Sequence, residues 1–157
     1  GRRDHALIAF MLLTGCRLAE TAALNITDID LTARVAVLRT TKGGDPDRVM
    51  LSPRLVNILA RHIGKVRQPD IPLFMAHGRR LSTRQIQRIV IARVAEAGIT
   101  KPITAHSLRH SFATRLYNAT GDIRLVQQAL RHSHVTTTEV YAQVECARWR
   151  REIAKIA

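Results

Sequence analysis

His106 and Arg109 stand three positions apart, a spacing that places both side chains on one face of a helix. An imidazole and a guanidinium on the same face can bind one small anion, such as a phosphate group, although a solvated basic surface would show the same pair. His110 follows His106 by four positions, which also suits zinc. A zinc protease motif requires Glu directly after the first His, where this chain has Ser107, and no Cys or acid offers an obvious third ligand. The pair by itself favours a solvated basic surface and leaves anion binding as the alternative, and we expect no metal.

The chain lacks the sequence motifs by which many proteins bind nucleotides or activate a serine. The sequence contains none of three common motifs, G-x-x-x-x-G-K-[ST], G-x-G-x-x-G and G-x-S-x-G. The acidic residues are scattered singly, so no carboxylate cluster predicts a two-metal site for phosphoryl transfer. A reaction on a phosphodiester would therefore depend on cations and on a side-chain nucleophile, and we expect no cofactor.

The charge of the chain predicts a polyanionic partner. The 157 residues contain 25 Lys and Arg against 12 Asp and Glu, a formal net charge of +13. Arg accounts for 21 of the 25 basic residues, and its guanidinium suits bidentate contacts with phosphate. Residues 77–115 contain eight basic residues and one acid, Glu96. Nucleic acid is the most common partner of such a composition, with a solvated basic surface as the alternative.

Length and composition exclude several classes of protein. The longest apolar run, residues 6–13, has eight residues, whereas a membrane-spanning helix needs about 20. Cys16 and Cys146 are 130 positions apart and do not form a disulfide framework, so we expect a cytoplasmic protein without a membrane partner. At this length the chain is expected to form a single domain over residues 1–157.

The first part of the chain is predicted to form two helices and a small sheet, which help to position the candidate functional side chains. Residues 4–14 have the composition of a helix that is buried on most sides, and a shorter helix over 17–24 follows the break at Gly15. Residues 28–31, 34–39 and 48–51 have strand character, and Lys42 opens a Gly-rich turn between the last two. Together they predict a three-stranded antiparallel sheet with Lys42 at a hairpin tip.

The rest of the chain has the periodicity and the capping residues of helices. Helix starts are predicted at Ser52 before Pro53, Ser82 with Gln85, Thr104, Asp122 and Thr136 with Glu139, and a terminal helix is predicted over 145–156. In the helix after Ser82, Arg84 and Arg88 lie opposite the apolar stripe and in the most basic region, so we expect both to contact the backbone of the nucleic acid partner.

Four sequence blocks, taken in order, resemble those of a known family. Residues 14–20 carry T-G-x-R-x-x-E, residues 41–49 carry Thr-Lys-Gly leading to Arg-Val, and residues 106–114 carry H-x-L-R-H-x-F-A-T. In the fourth block, Leu130-Arg131-His132 is followed by Tyr141 in the frame T-T-x-x-Y. From about residue 4 to 145 the chain resembles the catalytic domain of tyrosine recombinases, the phage-integrase family. The resemblance implies an α+β fold, mainly α-helical, with a small antiparallel three-stranded sheet packed on a helical bundle, as in DNA breaking-rejoining enzymes.

The resemblance implies a group of residues around the phosphate at which a DNA strand is cut. Arg17 and Arg109 match the two arginines that clamp this phosphate, and Glu20 matches an acid that supports the first arginine. His132 matches a position that donates a hydrogen bond to a phosphate oxygen. His110 is expected to be structural, donating a hydrogen bond within the fold.

The same resemblance implies three residues that make and break bonds or move protons. Tyr141 matches the nucleophile, Lys42 matches the general acid on the leaving 5′ oxygen, and His106 matches the histidine that assists proton transfer from the nucleophile. Tyr117, in contrast, is expected to be a half-buried packing residue.

Two positions depart from the family's pattern. Ser107 stands where Asp is frequent, and Arg131 stands where Gly is usual. Neither change replaces a catalytic atom. If the Gly serves a backbone conformation with positive φ, Arg131 is a poor substitute for it.

The resemblance implies a site-specific DNA recombinase or integrase that cuts and rejoins strands, without metal, through a 3′-phosphotyrosine intermediate. DNA relaxation as in type IB topoisomerases and a non-catalytic DNA-binding module remain as alternatives. We expect double-stranded DNA as the partner, a homo-oligomeric tetramer assembled on that DNA, and a monomer in isolation. The N-terminal DNA-binding domain of the family is expected to lie outside this chain.

Overall fold

A computed structural model describes residues 1–39, 46–131 and Lys155 of the chain. The chain forms two compact units, residues 1–112 and residues 113–157. The predictions for Lys42, His132 and Tyr141 lie outside the described residues, as do the helix start at Thr136 and, apart from Lys155, the terminal helix over 145–156.

The chain opens with the two predicted helices, α1 (Arg2–Thr14) and α2 (Leu18–Ala23). Helix α1 is buried on most sides, as its composition predicts, and Phe10 is fully buried. It ends at Gly15, whose φ of 69° and ψ of 15° are left-handed and whose N–H donates to the carbonyl of Met11 at 3.0 Å. A side chain is disfavoured in this conformation, so glycine is the residue that stops α1 cleanly.

The predicted antiparallel sheet is present and has three strands in the order β1-β2-β3. After a 3₁₀ turn at Ile26–Asp28 come β1 (Ile29–Asp30), β2 (Val35–Leu38) and β3 (Asp47–Met50). Ala36 of the central strand lies opposite both Ile29 and Val49. Alternate residues of β2 are buried, so one face of the sheet packs inward.

A second, two-stranded hairpin was not predicted from the sequence. It consists of β4 (Met75–Ala76) and β5 (Arg79–Arg80), joined by His77 and Gly78, both with positive φ. Strands of two residues are too short to show an alternating pattern. The hairpin also gives Arg80 a role within the fold, because its guanidinium donates to the carbonyls of Ala22 at 3.0 Å and Leu24 at 2.9 Å.

The predicted helix starts are confirmed where the structure describes them. Ser52 accepts a hydrogen bond from the N–H of Leu55, and Ser82 and Gln85 form a reciprocal capping box. Asp122 accepts from the N–H groups of the next helix's first turn, and Thr104 accepts from Ser107 at 3.4 Å. These residues begin, in chain order, α3 (Pro53–Ile63), α4 (Thr83–Glu96), α5 (Ala105–Thr120) and α6 (Ile123–Leu130). Across the described residues, no helix combines the length and the hydropathy that crossing a membrane requires.

The core of residues 1–112 joins the sheet to the helices. Phe10 packs edge-on against Phe74 with ring centroids 6.2 Å apart. Ala36 and Val49 of the sheet belong to the same buried cluster as Phe10 and Leu59. The predicted fold class, mainly helical with a small three-stranded antiparallel sheet, is confirmed.

Buried Asp4 ties α1 to α4. Its carboxylate accepts from Arg3 Nε at 2.7 Å and from Arg93 Nε at 2.9 Å, and Arg93 also pairs with Glu96. Although burial by itself raises the pKa of the Asp4 carboxyl, the hydrogen bonds from the two guanidinium groups bring that pKa below its ordinary value. Asp4 is therefore ionised at neutral pH and holds the two helices together.

Candidate phosphate-binding site

Three of the predicted catalytic residues line one pocket of about 240 Å³ within residues 1–112. Arg17 reaches it from the loop after α1, and His106 and Arg109 reach it from the first turns of α5. Residues separated by some 90 positions in the sequence thus meet around one cavity. The remaining lining residues are Cys16, Leu18, Gln87, Thr104 and Ala105.

Arg17 is held by Glu20 and still presents its guanidinium to solvent. Arg17 is the N-cap of α2, and its main-chain N–H donates to Glu20 Oε2 at 2.7 Å. Its Nη1 donates to Glu20 Oε1 at 3.2 Å, with the Arg17 side chain 47% exposed and that of Glu20 7% exposed. One carboxylate therefore orients both the backbone and the guanidinium of Arg17, while the exposed side of the guanidinium can meet an anion.

Arg109 is a buried cation that lines the same pocket from α5. It is 6% exposed, and its Nη1 donates to the carbonyl oxygen of Gly15. A guanidinium carries five donors in a rigid plane, so Arg109 can bond to the Gly15 carbonyl and bind phosphate oxygens at the same time.

His106 occupies the second position of α5 and is exposed. The N–H groups of the first helical turn and the helix dipole favour an anion at this end of α5. His106 therefore adds an imidazole to an end of the helix that already attracts negative charge. His110, one turn later, is also exposed.

Gln87 lines the pocket and was not predicted from the sequence. It lies on α4 and is half-buried, three positions after Arg84. No spacing rule connects a residue of α4 with the motif on α5, because their proximity is set by tertiary packing. The spacing of Arg84 and Gln87 along α4 could have suggested that they share a face, but not that this face borders the pocket.

The basic region over residues 77–115 divides into two groups. Arg84 and Arg88 are both on α4, and both are exposed. Arg80 and Arg93 instead make hydrogen bonds within the protein, to main-chain carbonyls and to carboxylates respectively. Part of the positive charge in this region therefore stabilises the fold.

Arg131 has the left-handed conformation that the family's glycine at this position suggests. It caps the C-terminus of α6 with φ of 54° and ψ of 44°. Its N–H donates to the carbonyl of Gln128 at 3.0 Å. An L-residue here carries an energetic penalty that glycine avoids.

Within residues 1–39 and 46–131, the structure brings no three His, Cys, Asp or Glu side chains into a group that could hold a metal ion. The charged side chains that line the pocket are instead the cations Arg17 and Arg109, with His106 as a third nitrogen donor. Such a set is complementary to an oxygen-rich anion.

The fold and this donor set define a protein of the phage integrase family: residues 1–148 match the model of that family, and the chain belongs to it. Tyrosine recombinase XerD of Bifidobacterium longum (strain NCC 2705) is 40% identical over 154 residues, covering 90% of this chain and 50% of the relative. Tyrosine recombinase XerD of Lacticaseibacillus casei is 34% identical over 152 residues, covering 92% of this chain and 51% of the relative. The chain spans about half the length of these curated relatives.

Solved structures of recombinases share the fold. The crystal structure of XerA recombinase superposes with a TM-score of 0.82 at 33% identity, covering 90% of this chain and 52% of that chain. XerH site-specific recombinase bound to palindromic difH substrate, in a post-cleavage complex, superposes with a TM-score of 0.79 at 28% identity, covering 98% of this chain and 45% of that chain. The family resemblance inferred from the four sequence blocks is confirmed.

Proposed function

We propose that the chain is the catalytic part of a site-specific DNA recombinase of the tyrosine type. The observation that carries the proposal is the convergence of Arg17, His106 and Arg109 on one pocket. In the family, residues at these positions act on the scissile phosphate. Relatives named as tyrosine recombinases, with 40% and 34% identity, support the same activity.

The chemistry proposed for the pocket is phosphoryl transfer from DNA to tyrosine. Negative charge grows on the non-bridging oxygens of the phosphate during attack, and in this proposal Arg17 and Arg109 stabilise that charge. A guanidinium presents several N–H donors in one plane, a geometry that matches the oxygens of a phosphate. Glu20 supports the reaction through its two hydrogen bonds to Arg17.

In the proposed step, the Tyr141 oxygen attacks phosphorus and the bond from phosphorus to the 5′ oxygen breaks. The phenol loses its proton with the assistance of His106, and Lys42 donates a proton to the departing 5′ oxygen. His132 donates a hydrogen bond to a phosphate oxygen. The product is a 3′-phosphotyrosine ester and a free 5′ hydroxyl. Attack by a 5′ hydroxyl on that ester reverses the exchange and reseals a strand without an external energy source.

Double-stranded DNA is the proposed substrate. XerH, at 28% identity, is a relative solved bound to its DNA substrate, and Arg84 and Arg88 on α4 add a basic surface. A tetramer assembled on DNA, a cytoplasmic location and a single catalytic domain over residues 1–157 stay predictions from the sequence.

Two alternatives are less well supported. Type IB topoisomerase activity shares the proposed chemistry, but the similar XerD, XerA and XerH proteins are recombinases. A DNA-binding module without catalysis would need positive charge on its surface. It would not need a buried arginine, Arg109, at a pocket shared with Arg17 and His106.

The test is capture of a covalent adduct on nicked duplex DNA. The recognition sequence is first selected from random-sequence duplexes bound by the full-length protein, and a nick near the cleavage position then traps the adduct. We expect adduct with the unaltered protein and with Tyr117→Phe, since Tyr117 is a buried residue of α5. We expect none with Tyr141→Phe. Adduct with Tyr141→Phe would contradict the assignment of the nucleophile, and relaxation of plasmids without site preference would favour the topoisomerase alternative.

A further inference from the structure

Among the residues that the structure describes, two helix ends share the same local structure, and each consists of Thr followed by Gly. At the end of α1, Thr14 Oγ1 donates to the carbonyl of Phe10 at 2.6 Å and accepts from the N–H of Cys16 at 3.2 Å. At the end of α5, Thr120 Oγ1 donates to the carbonyl of Leu116 at 2.8 Å and accepts from the N–H of Asp122 at 3.2 Å.

The glycines in the two helix ends also match. Gly15 has φ of 69° and its N–H donates to Met11 at 3.0 Å, while Gly121 has φ of 66° and its N–H donates to Tyr117 at 2.7 Å. In both places the threonine hydroxyl bridges the last turn of the helix and the residue after the glycine, so it fixes the direction of the glycine's peptide group.

The two helix ends lead into different parts of the protein. Asp122, after Gly121, caps α6. The residue after Gly15 is Cys16, which leads directly to Arg17, and the Gly15 carbonyl accepts from Arg109 Nη1. The first helix end is also buried, with Thr14 only 2% exposed, whereas Thr120 is exposed.

We propose that Thr14 is a positioning residue of the phosphate-binding site: its hydroxyl sets the peptide group of Gly15, and through it the placement of Arg109 and Arg17. This inference rests on the proposed function. The hydroxyl holds the N–H of Cys16, the peptide plane between Gly15 and Cys16 carries the carbonyl that orients Arg109, and the next residue is Arg17. One side chain therefore fixes both arginines relative to each other without contacting the substrate.

Thr14→Val tests the proposal, because valine keeps the branched shape of threonine and has a methyl group in place of the hydroxyl. A small displacement of groups that bind the reacting phosphate slows the chemical step strongly, so we expect a fall of about 10- to 100-fold in the single-turnover rate of adduct formation. DNA affinity is expected to stay within about twofold, because most of it comes from contacts with the rest of the DNA backbone. Thr14→Ser restores the hydroxyl and is expected to restore the rate.

Thr120→Val is the matched control, since it removes the same two hydrogen bonds from the other helix end. All variants are made in the full-length protein and compared at a temperature where each is folded, as judged by its melting curve. If Thr14→Val does not fold, Thr14→Cys carries the same prediction, because a thiol is a weaker donor and acceptor than a hydroxyl.

Three outcomes would overturn the inference. In the first, Thr14→Val forms adduct at the same rate as Thr120→Val. In the second, Thr14→Val loses DNA affinity as much as it loses rate. In the third, Thr14→Ser fails to restore the rate of adduct formation. Each would show that Thr14 serves the fold alone. If the unaltered protein forms no adduct on its selected DNA, the proposed function fails instead, so the two failures are distinguishable.

Discussion

The guanidinium of Arg109 donates a hydrogen bond to the carbonyl oxygen of Gly15, two residues before Arg17. This bond joins α5 to the loop after α1, although 94 positions of sequence separate the two residues. It explains how the chain brings two arginines to one pocket: Arg17 lies just after a loop residue whose carbonyl accepts a hydrogen bond from Arg109. The left-handed glycine makes this possible, because it turns the chain at the end of α1.

Glu20→Gln is expected to slow adduct formation about 10-fold, because the carboxylate that orients the Arg17 guanidinium becomes a neutral amide and its charge-assisted bonds weaken. Single-turnover kinetics on the selected nicked duplex provide the measurement. Glu96→Gln is the control, since Glu96 pairs with Arg93 on the exposed side of α4, and its rate should match that of the unaltered protein. Equal rates for Glu20→Gln and Glu96→Gln would contradict the role of Glu20.

Arg84→Ala and Arg88→Ala are each expected to reduce the slope of log K against log salt by about one unit, as loss of one phosphate contact predicts. Both side chains belong to α4 and lie opposite its apolar stripe. Arg93→Gln, on the same helix, should leave the slope unchanged because Arg93 already pairs with Asp4 and Glu96. Binding isotherms at several salt concentrations measure the slopes, and an unaltered slope in Arg84→Ala would exclude that contact.

Stability should depend on the ionisation of Asp4 in acid. The pKa of Asp4 lies below its ordinary value of 3.8, so the folded state favours the carboxylate and binds fewer protons than the unfolded chain. The stabilisation is thus fully present above the unfolded pKa and is lost as the pH falls through the folded pKa.

Asp4→Asn removes this stabilisation and is expected to lower the free energy of unfolding by about 1–3 kcal/mol at neutral pH. The difference from the unaltered protein should shrink between about pH 5 and pH 2 as Asp4 becomes protonated. Urea unfolding at a series of pH values measures it. A difference that stays constant over that range would show that the Asp4 charge is not what ties α1 to α4.

Arg131→Gly should be more stable than Arg131→Ala by about 1 kcal/mol, because only glycine adopts the left-handed conformation without a penalty. Both substitutions remove the same side-chain interactions, so the comparison isolates the backbone. Thermal or urea unfolding of the two variants provides the free energies. If Arg131→Ala is as stable as Arg131→Gly, the conformation at this position imposes no strain.

Local signals in the sequence predicted the helix starts well. The Ser82–Gln85 capping box and the Asp122 cap depend on atoms at most three residues apart, so short patterns contain the information. The three-stranded sheet was predictable for the same reason, because its strands are close in sequence. The β4–β5 hairpin was missed because two-residue strands show no period.

The candidate site was predictable only in part. Residue spacing alone favoured a solvated basic face for His106 and Arg109, with an anion site as the alternative. The family resemblance assigned these two residues and Arg17 to a phosphate, and only the fold could show that the three line one pocket. The ion pair between Arg93 and Asp4 joins residues 89 positions apart, and no pattern in the sequence predicts such a pair. Gln87 was missed for the same reason.

The central claim is that Arg17 and Arg109 bind the non-bridging oxygens of the scissile phosphate, and a charge-neutral DNA tests it most directly. A methylphosphonate replaces one of these oxygens with a methyl group and removes the negative charge. Adduct formation by Arg17→Ala and by Arg109→Ala is compared with that of the unaltered protein on normal DNA, on DNA with the methylphosphonate at the scissile linkage, and on DNA with it at a neighbouring linkage.

The rate penalty of a substitution is the factor by which it slows adduct formation. We predict that this penalty is at least about 10-fold smaller when the scissile linkage is neutral, because the DNA then lacks the charge with which the arginine interacts. The penalty should not change when the neighbouring linkage is neutral. An equal penalty on normal DNA and on both stereoisomers of the scissile methylphosphonate would contradict the assignment of the pocket to this phosphate.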